Sequence, residues 1–96
     1  MSEKRPFVTK EQVEEIVKTY PTPFHIYDGR AIRENVRRVK KAFSWNAGYK
    51  EYFAVKATPN PYILSILKEE GCGADCASLT ELMLAKAAGI EGENIM

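Results

Sequence analysis

Lys56 is the residue whose type and position best suit chemistry. It follows the apolar run Tyr52-Phe-Ala-Val55, which predicts a strand over residues 49–56. Alternate side chains of a strand share a face, so Lys56 is expected to point the same way as Tyr52 and Ala54. Partial burial lowers the pKa of a lysine ammonium and frees the amine to form an imine with an aldehyde. The alternative is a lysine that extends its charged end into solvent.

Asp75 is the second candidate, because it lies near the end of the next predicted strand, residues 73–77. Consecutive strands of parallel units are often neighbours, and their carboxyl ends are where such enzymes place reactive groups. The Asp75 carboxylate is therefore expected to approach the Lys56 amine, unless it forms a turn and caps the following helix. Ser78 and Glu81 have the spacing of a capping box, which explains both residues without catalysis.

The elements that position these residues are predicted from helix caps and hydrophobic periodicity. Strands are predicted at residues 24–27, 49–56 and 73–77, and a further β segment is expected to begin within residues 90–96. Helices are predicted to begin after the N-cap residues Thr9, Asp28, Asn60 and Ser78. The alternation of strands and helices after residue 23 indicates parallel βαβ units.

Such units normally continue into a doubly wound sheet or an eight-stranded barrel. Because neither is complete in 96 residues, we infer an incomplete piece of a larger α/β fold. A small self-contained α/β domain is the alternative.

Composition argues against several classes of function. The chain has 14 Lys and Arg against 13 Asp and Glu, a net charge of +1, which gives no general attraction for nucleic acid or an anionic membrane. The basic residues of the second predicted helix lack interleaved aromatic residues, so a solvated face is expected. No apolar run approaches the roughly 20 residues that cross a bilayer, and a cytoplasmic protein is expected. Cys72 and Cys76 have the spacing of neither a zinc knuckle nor a redox pair.

Two ordered motifs resemble those of the pyridoxal-phosphate-dependent basic amino-acid decarboxylases of the alanine-racemase-like barrel group. The motifs are Tyr52-Phe-Ala-Val-Lys-Ala57 with Asn60, and Gly71-Cys-Gly-Ala-Asp-Cys-Ala-Ser78 with Glu81. The resemblance runs from about Thr22 to Met96. It implies that residues 1–96 are the N-terminal portion of a (β/α)8 TIM barrel, in which residues 1–21 form a helix that precedes the barrel segment.

The resemblance also implies pyridoxal 5'-phosphate as the cofactor and gives three residues a role. Lys56 becomes the catalytic lysine that forms the internal aldimine, Asp75 lies beside that lysine and the cofactor, and Ala54 lines the floor near the cofactor ring. No metal is implied. Active sites in this family are completed across a homodimer.

The substrate implied by the resemblance is a small diamino acid. The stretch Ala57-Thr-Pro-Asn-Pro61 is closest to bacterial diaminopimelate decarboxylases, which convert meso-diaminopimelate to L-lysine and carbon dioxide. Ornithine, arginine and carboxynorspermidine decarboxylases are the alternatives within the family. The phosphate-cradling loop of the family is expected beyond residue 96, so the isolated chain is expected to be inactive. A non-catalytic homologue that pairs with a partner is a further alternative.

Overall fold

The computed structural model describes residues 3–96, which form four α-helices and a small parallel sheet. Within this range no helix has the length and apolarity needed to cross a bilayer. The helices are α1 (Lys10–Thr19), α2 (Gly29–Ala42), α3 (Pro61–Glu69) and α4 (Leu79–Ala87). The strands are β1 (Tyr52–Ala54) and β2 (Gly73–Asp75), and 3₁₀ turns span Val55–Ala57 and Gly92–Asn94.

Neighbouring strands of the sheet are consecutive in the sequence. β1 pairs with β2 in parallel, with Ala54 opposite Asp75. A parallel bridge from Ala74 to Ile95 begins a third neighbour, and the Met96 N–H donates to the Ala74 carbonyl oxygen at 2.8 Å. The predicted parallel α/β class and the β segment near the end of the chain are therefore confirmed.

The predicted helix N-caps are confirmed, because each capping side chain accepts a backbone N–H of the first turn. At α1 the capping box is complete: the Thr9 hydroxyl accepts from the Gln12 N–H at 3.1 Å, and the Gln12 side chain accepts from the Thr9 N–H at 2.8 Å. Asp28 and Asn60 cap α2 and α3 in the same way. These bonds satisfy N–H groups that have no partner inside the helix.

The strand predictions were wrong in extent, and one was wrong altogether. Residues 24–27 form no strand, and no backbone hydrogen bond outside the regular elements involves them within residues 3–96. A strand exists only beside a partner, and no described segment pairs with these residues. β1 covers 52–54 instead of 49–56, and β2 covers 73–75 instead of 73–77. β1 stops because the chain turns into a 3₁₀ helix at Val55.

The core lies between the sheet and α3 and α4. Its members are apolar side chains that are almost fully excluded from water. Val55, at the start of the 3₁₀ turn, and Leu64, in the middle of α3, are the largest of those buried completely, with 0% and 1% of their surface exposed. The remaining buried residues are Ile63, Leu67, Cys72, Ala74, Ala85, Ala88 and Ile90.

A cluster of charges around Glu70 joins α2 to the end of α3. The Glu70 side chain is only 10% exposed and accepts two hydrogen bonds from Arg37, at 2.8 and 2.9 Å, and one from Arg33 at 3.2 Å. The Lys40 ammonium donates to the Glu70 carbonyl oxygen. The basic face of α2, expected to be solvated, is therefore partly used to hold the helix in place.

We expect the Glu70 cluster to make the fold acid-sensitive. Hydrogen bonding from Arg37 and then from Arg33 lowers the pKa of the Glu70 carboxyl, while burial opposes this. A carboxyl whose pKa is depressed on folding contributes stability above its unfolded pKa, about 4.3, and loses it as pH falls through the folded pKa. Urea midpoints measured across this acid range should fall more steeply for the wild type than for Glu70→Gln. The exposed Glu91→Gln is the control, and equal slopes in all three proteins would contradict the assignment.

Candidate functional site

Ala54, Lys56 and Asp75 lie together at the carboxyl edge of the sheet. Ala54 and Asp75 are register partners at the last positions of β1 and β2. Lys56 follows Ala54 by two residues in the 3₁₀ turn Val55–Ala57. The structure thus brings the three predicted site residues to one end of two neighbouring strands, where parallel α/β proteins usually bind ligands.

Lys56 differs from the sequence prediction in its surroundings. It lies outside β1 and is exposed, whereas the strand pattern predicted a partly buried amine on the face of Tyr52 and Ala54. The reason is the 3₁₀ turn, in which successive side chains are about 120° apart, so that Val55 takes the buried position. Within residues 3–96 the Lys56 amine has no hydrogen bond or ion pair, and it extends into solvent, as the alternative interpretation predicted.

Asp75 also differs from expectation. It is exposed. Within residues 3–96 it forms no ion pair with Lys56, and the ion pairs in this range join other residues. It does not cap α4 either, because Ser78 is the N-cap residue of that helix. The Asp75 carboxylate therefore stands at the sheet edge without a structural role that would explain it.

Glu81 lies in the first turn of α4, and the sequence predicted it only as part of a capping box with Ser78. The Ser78 hydroxyl accepts the Glu81 N–H at 3.3 Å and donates to Glu81 Oε2 at 2.8 Å. The Glu81 side chain does not reach the Ser78 backbone N–H, so the predicted capping box is only half formed. Its other oxygen, Oε1, is buried and has no hydrogen-bond partner, and among the described residues no other buried side-chain oxygen or nitrogen is in this state.

Cys76 follows β2 directly and is half-buried. Burial is the main cause that raises the pKa of its thiol, and the negative charges of Glu81 and Asp75 add to the effect. The thiol is consequently protonated at neutral pH and is a poor nucleophile. Cys72 is buried in the core, where burial likewise raises the pKa of the thiol.

The donor groups at this edge fit an aldehyde better than a metal ion. The exposed Lys56 amine follows the end of one strand and the Asp75 carboxylate ends the neighbouring strand, and a primary amine can bond to an aldehyde carbon. No group of His, Cys, Asp and Glu side chains in the described range is arranged to hold a metal ion. The Lys56 amine is therefore open to an aldehyde at this edge of the sheet.

Comparison with known proteins gives a consistent result. The family described as "Pyridoxal-dependent decarboxylase, pyridoxal binding domain" matches residues 29–96. Protein TabA of Pseudomonas amygdali pv. tabaci is 52% identical over 84 residues, which is 88% of this chain and 20% of that protein. The diaminopimelate decarboxylase of Aquifex aeolicus is 38% identical over 90 residues, which is 94% of this chain and 21% of the enzyme.

Among solved structures, SrLDC in complex with PLP and cadaverine superposes with a TM-score of 0.83 at 27% identity. The superposition covers 97% of this chain and 24% of that one. The chain thus spans about a fifth of the length of the curated relatives it matches. The two parallel strands with a helix between them agree with the predicted partial barrel.

Proposed function

Because the chain belongs to the family of pyridoxal-dependent decarboxylases, in their pyridoxal-binding domain, we propose that it is the N-terminal part of an enzyme that decarboxylates a diamino acid. Pyridoxal phosphate is the cofactor of this family. In this proposal residues 1–96 are the first portion of the barrel domain, and the segment up to residue 21, which carries α1, precedes the barrel segment. The full-length protein acts as a homodimer.

The observation that carries the proposal is the Lys56 amine at the carboxyl edge of the sheet. The amine is exposed and unpaired in the described chain, so an aldehyde can reach it from solvent. When bound, pyridoxal phosphate supplies an electron sink that stabilises the charge left when carbon dioxide departs. In this proposal Lys56 would hold the cofactor covalently, Ala54 would present a small side chain beside it, and Asp75 would supply a carboxylate from the neighbouring strand end.

The preferred substrate is meso-diaminopimelate, which gives L-lysine and carbon dioxide. The support is the naming of relatives: chains 35% to 41% identical to this one over about four-fifths or more of its length are called diaminopimelate decarboxylase. A decarboxylase of ornithine or arginine is the alternative within the family.

A second candidate function is a non-catalytic chain that pairs with a partner. Large exposed apolar side chains on α4 favour it, because Leu79 is 74% and Met83 is 63% exposed. Exposed apolar surface of this kind often marks an interaction site. Size-exclusion chromatography distinguishes this candidate, since a well-behaved monomer would count against it.

The experiment that tests the main proposal is trapping with borohydride. The chain is mixed with an excess of pyridoxal phosphate and reduced, and the modified lysines are mapped by mass spectrometry. We expect Lys56 to carry more label than any other lysine. Lys56→Ala should lose this label, while Lys86→Ala, which removes another exposed lysine, should leave the Lys56 label unchanged.

Labelling that spares Lys56 and spreads over the other lysines would contradict the assignment of the reactive amine. We also expect the 96-residue chain to release no carbon dioxide from diaminopimelate under the same conditions. Turnover by this chain would show that the described residues are sufficient for catalysis and would overturn the expectation of inactivity.

A further inference from the structure

We propose that the Tyr52 side chain is a latch that holds the third segment of the sheet, Ile95 and Met96, beside β2. The Tyr52 ring lies against Gly73, and its hydroxyl binds the 3₁₀ turn that precedes this segment. A residue at the amino end of β1 thereby fixes the segment that borders Asp75 at the carboxyl edge. The inference goes beyond the proposed function and does not depend on it, because it concerns only how this segment is held.

The first argument is the contact between Tyr52 and the turn Gly92–Asn94. The Tyr52 hydroxyl donates to the Glu93 carbonyl oxygen at 2.9 Å. The Lys50 ammonium donates to the side-chain oxygen of Asn94. The same ammonium lies 5.3 Å from the centre of the Tyr52 ring, where a cation is attracted to the aromatic face. Two side chains from the start of β1 therefore reach past β2 and hold this turn.

The second argument is the glycine that the Tyr52 ring lies against. Gly73 is the register partner of Tyr52. A β-carbon at Gly73 would lie 2.7 Å from two carbons of the Tyr52 ring and 2.6 Å from the Asn94 carbonyl oxygen. Glycine within a strand often marks such a close approach. Gly73 therefore provides the space in which the ring crosses β2 to reach the turn.

The third argument is the small amount of backbone pairing in the third segment. An isolated bridge joins Ile95 to Ala74. The Met96 N–H donates to the Ala74 carbonyl oxygen, and the Cys76 N–H donates to the Met96 carbonyl oxygen, both at 2.8 Å. These two bonds flank Asp75. They are a small gain against the conformational entropy lost when the segment is ordered, so side-chain contacts are needed to keep it in place.

The test is amide hydrogen exchange of the whole chain, followed residue by residue by NMR. When the third segment leaves β2, the Cys76 N–H loses its acceptor. The Gly73 N–H keeps its acceptor, because it donates to the Glu51 carbonyl oxygen on the β1 side at 2.8 Å. We expect Tyr52→Phe, which removes only the hydroxyl, to speed exchange at Cys76 roughly fivefold, the effect of one typical hydrogen bond. Exchange at Gly73 should keep the wild-type rate.

The ratio of the Cys76 rate to the Gly73 rate separates a latch from a general loss of stability, which would raise both rates together. Tyr62→Phe is the matched control, because it removes the hydroxyl of a tyrosine that is 83% exposed, and it should leave the ratio unchanged. If circular dichroism shows that Tyr52→Phe is unfolded, Lys50→Met replaces it. This variant removes the ammonium that holds the turn and should raise the same ratio.

An unchanged ratio in the folded variant would overturn the inference, because it would mean that the packing of Ile95 against the core is sufficient to hold the segment. An equal acceleration at Cys76 and Gly73 would overturn it as well, since the Tyr52 hydroxyl would then stabilise the sheet as a whole. A similar rise of the ratio in Tyr62→Phe would show that the effect is not specific to the latch.

Discussion

Gly73→Ala is expected to destabilise the sheet that carries the candidate site. A β-carbon at this position would lie 2.6 Å from the Asn94 carbonyl oxygen and 2.7 Å from two ring carbons of Tyr52. Because one of these neighbours is backbone, the 3₁₀ turn Gly92–Asn94 must shift away from β2 to make room. Forced overpacking of this kind costs typically about 1–3 kcal/mol. Urea denaturation followed by circular dichroism measures the loss.

Gly48→Ala is the matched control for this prediction. Its β-carbon would meet its nearest neighbour, the Asn46 side-chain oxygen, at an ordinary 3.5 Å, and a change below about 0.5 kcal/mol is expected. Equal urea midpoints for the two variants would contradict the prediction, because they would mean that Asn94 and Tyr52 move aside without loss of unfolding free energy. The Gly73 variant also tests the site, because it disturbs the register that sets Asp75 beside Ala54.

Leu64→Ala is expected to cost about 3 kcal/mol of unfolding free energy. Leu64 is 1% exposed and shares the core with Val55, so the substitution leaves a cavity beneath the turn that carries Lys56. Domains of this size are stable by only about 5–15 kcal/mol in total, and the loss should appear as a large drop in the urea midpoint. Leu79→Ala removes the same atoms from a side chain that is 74% exposed and should change the midpoint little. Similar losses in both variants would contradict the position of the core.

The helices were predictable because their signals are local. The Thr9 and Gln12 pair, and the caps at Asp28 and Asn60, each act on residues within one turn of the helix they begin. Asn60 followed by Pro61 predicted the start of α3 correctly, since proline is well suited to the first helical position. Short-range sequence therefore determines where these helices begin.

The strands and the charge cluster depended on partners far along the chain. Residues 24–27 have strand-like composition but no described partner, and composition alone does not reveal whether a partner exists. The contact between Arg37 and Glu70 spans 33 positions of the sequence, and no local sequence pattern predicts it.

The candidate site was predictable in location but not in environment. The motifs placed Lys56 and Asp75 at neighbouring strand ends, and the register of Ala54 with Asp75 agrees with this. The 3₁₀ turn that exposes Lys56 was missed, because a run of apolar residues fits a strand and a buried turn equally well. The unpartnered oxygen of Glu81 was missed because burial of a single atom depends on the packing of several elements. The roles of Lys56, Asp75 and Ala54 toward the cofactor stay predictions.

The pairing of β1 with β2, and the bridge from Ala74 of β2 to Ile95, follow the order of the chain. Each new strand joins the one made just before it, with a single helix between them. A polypeptide leaving the ribosome can therefore pair β2 with β1 and then Ile95 with β2, while α2 gains its contacts with Glu70 once α3 is complete. Synthesis and assembly of this region proceed in the same direction.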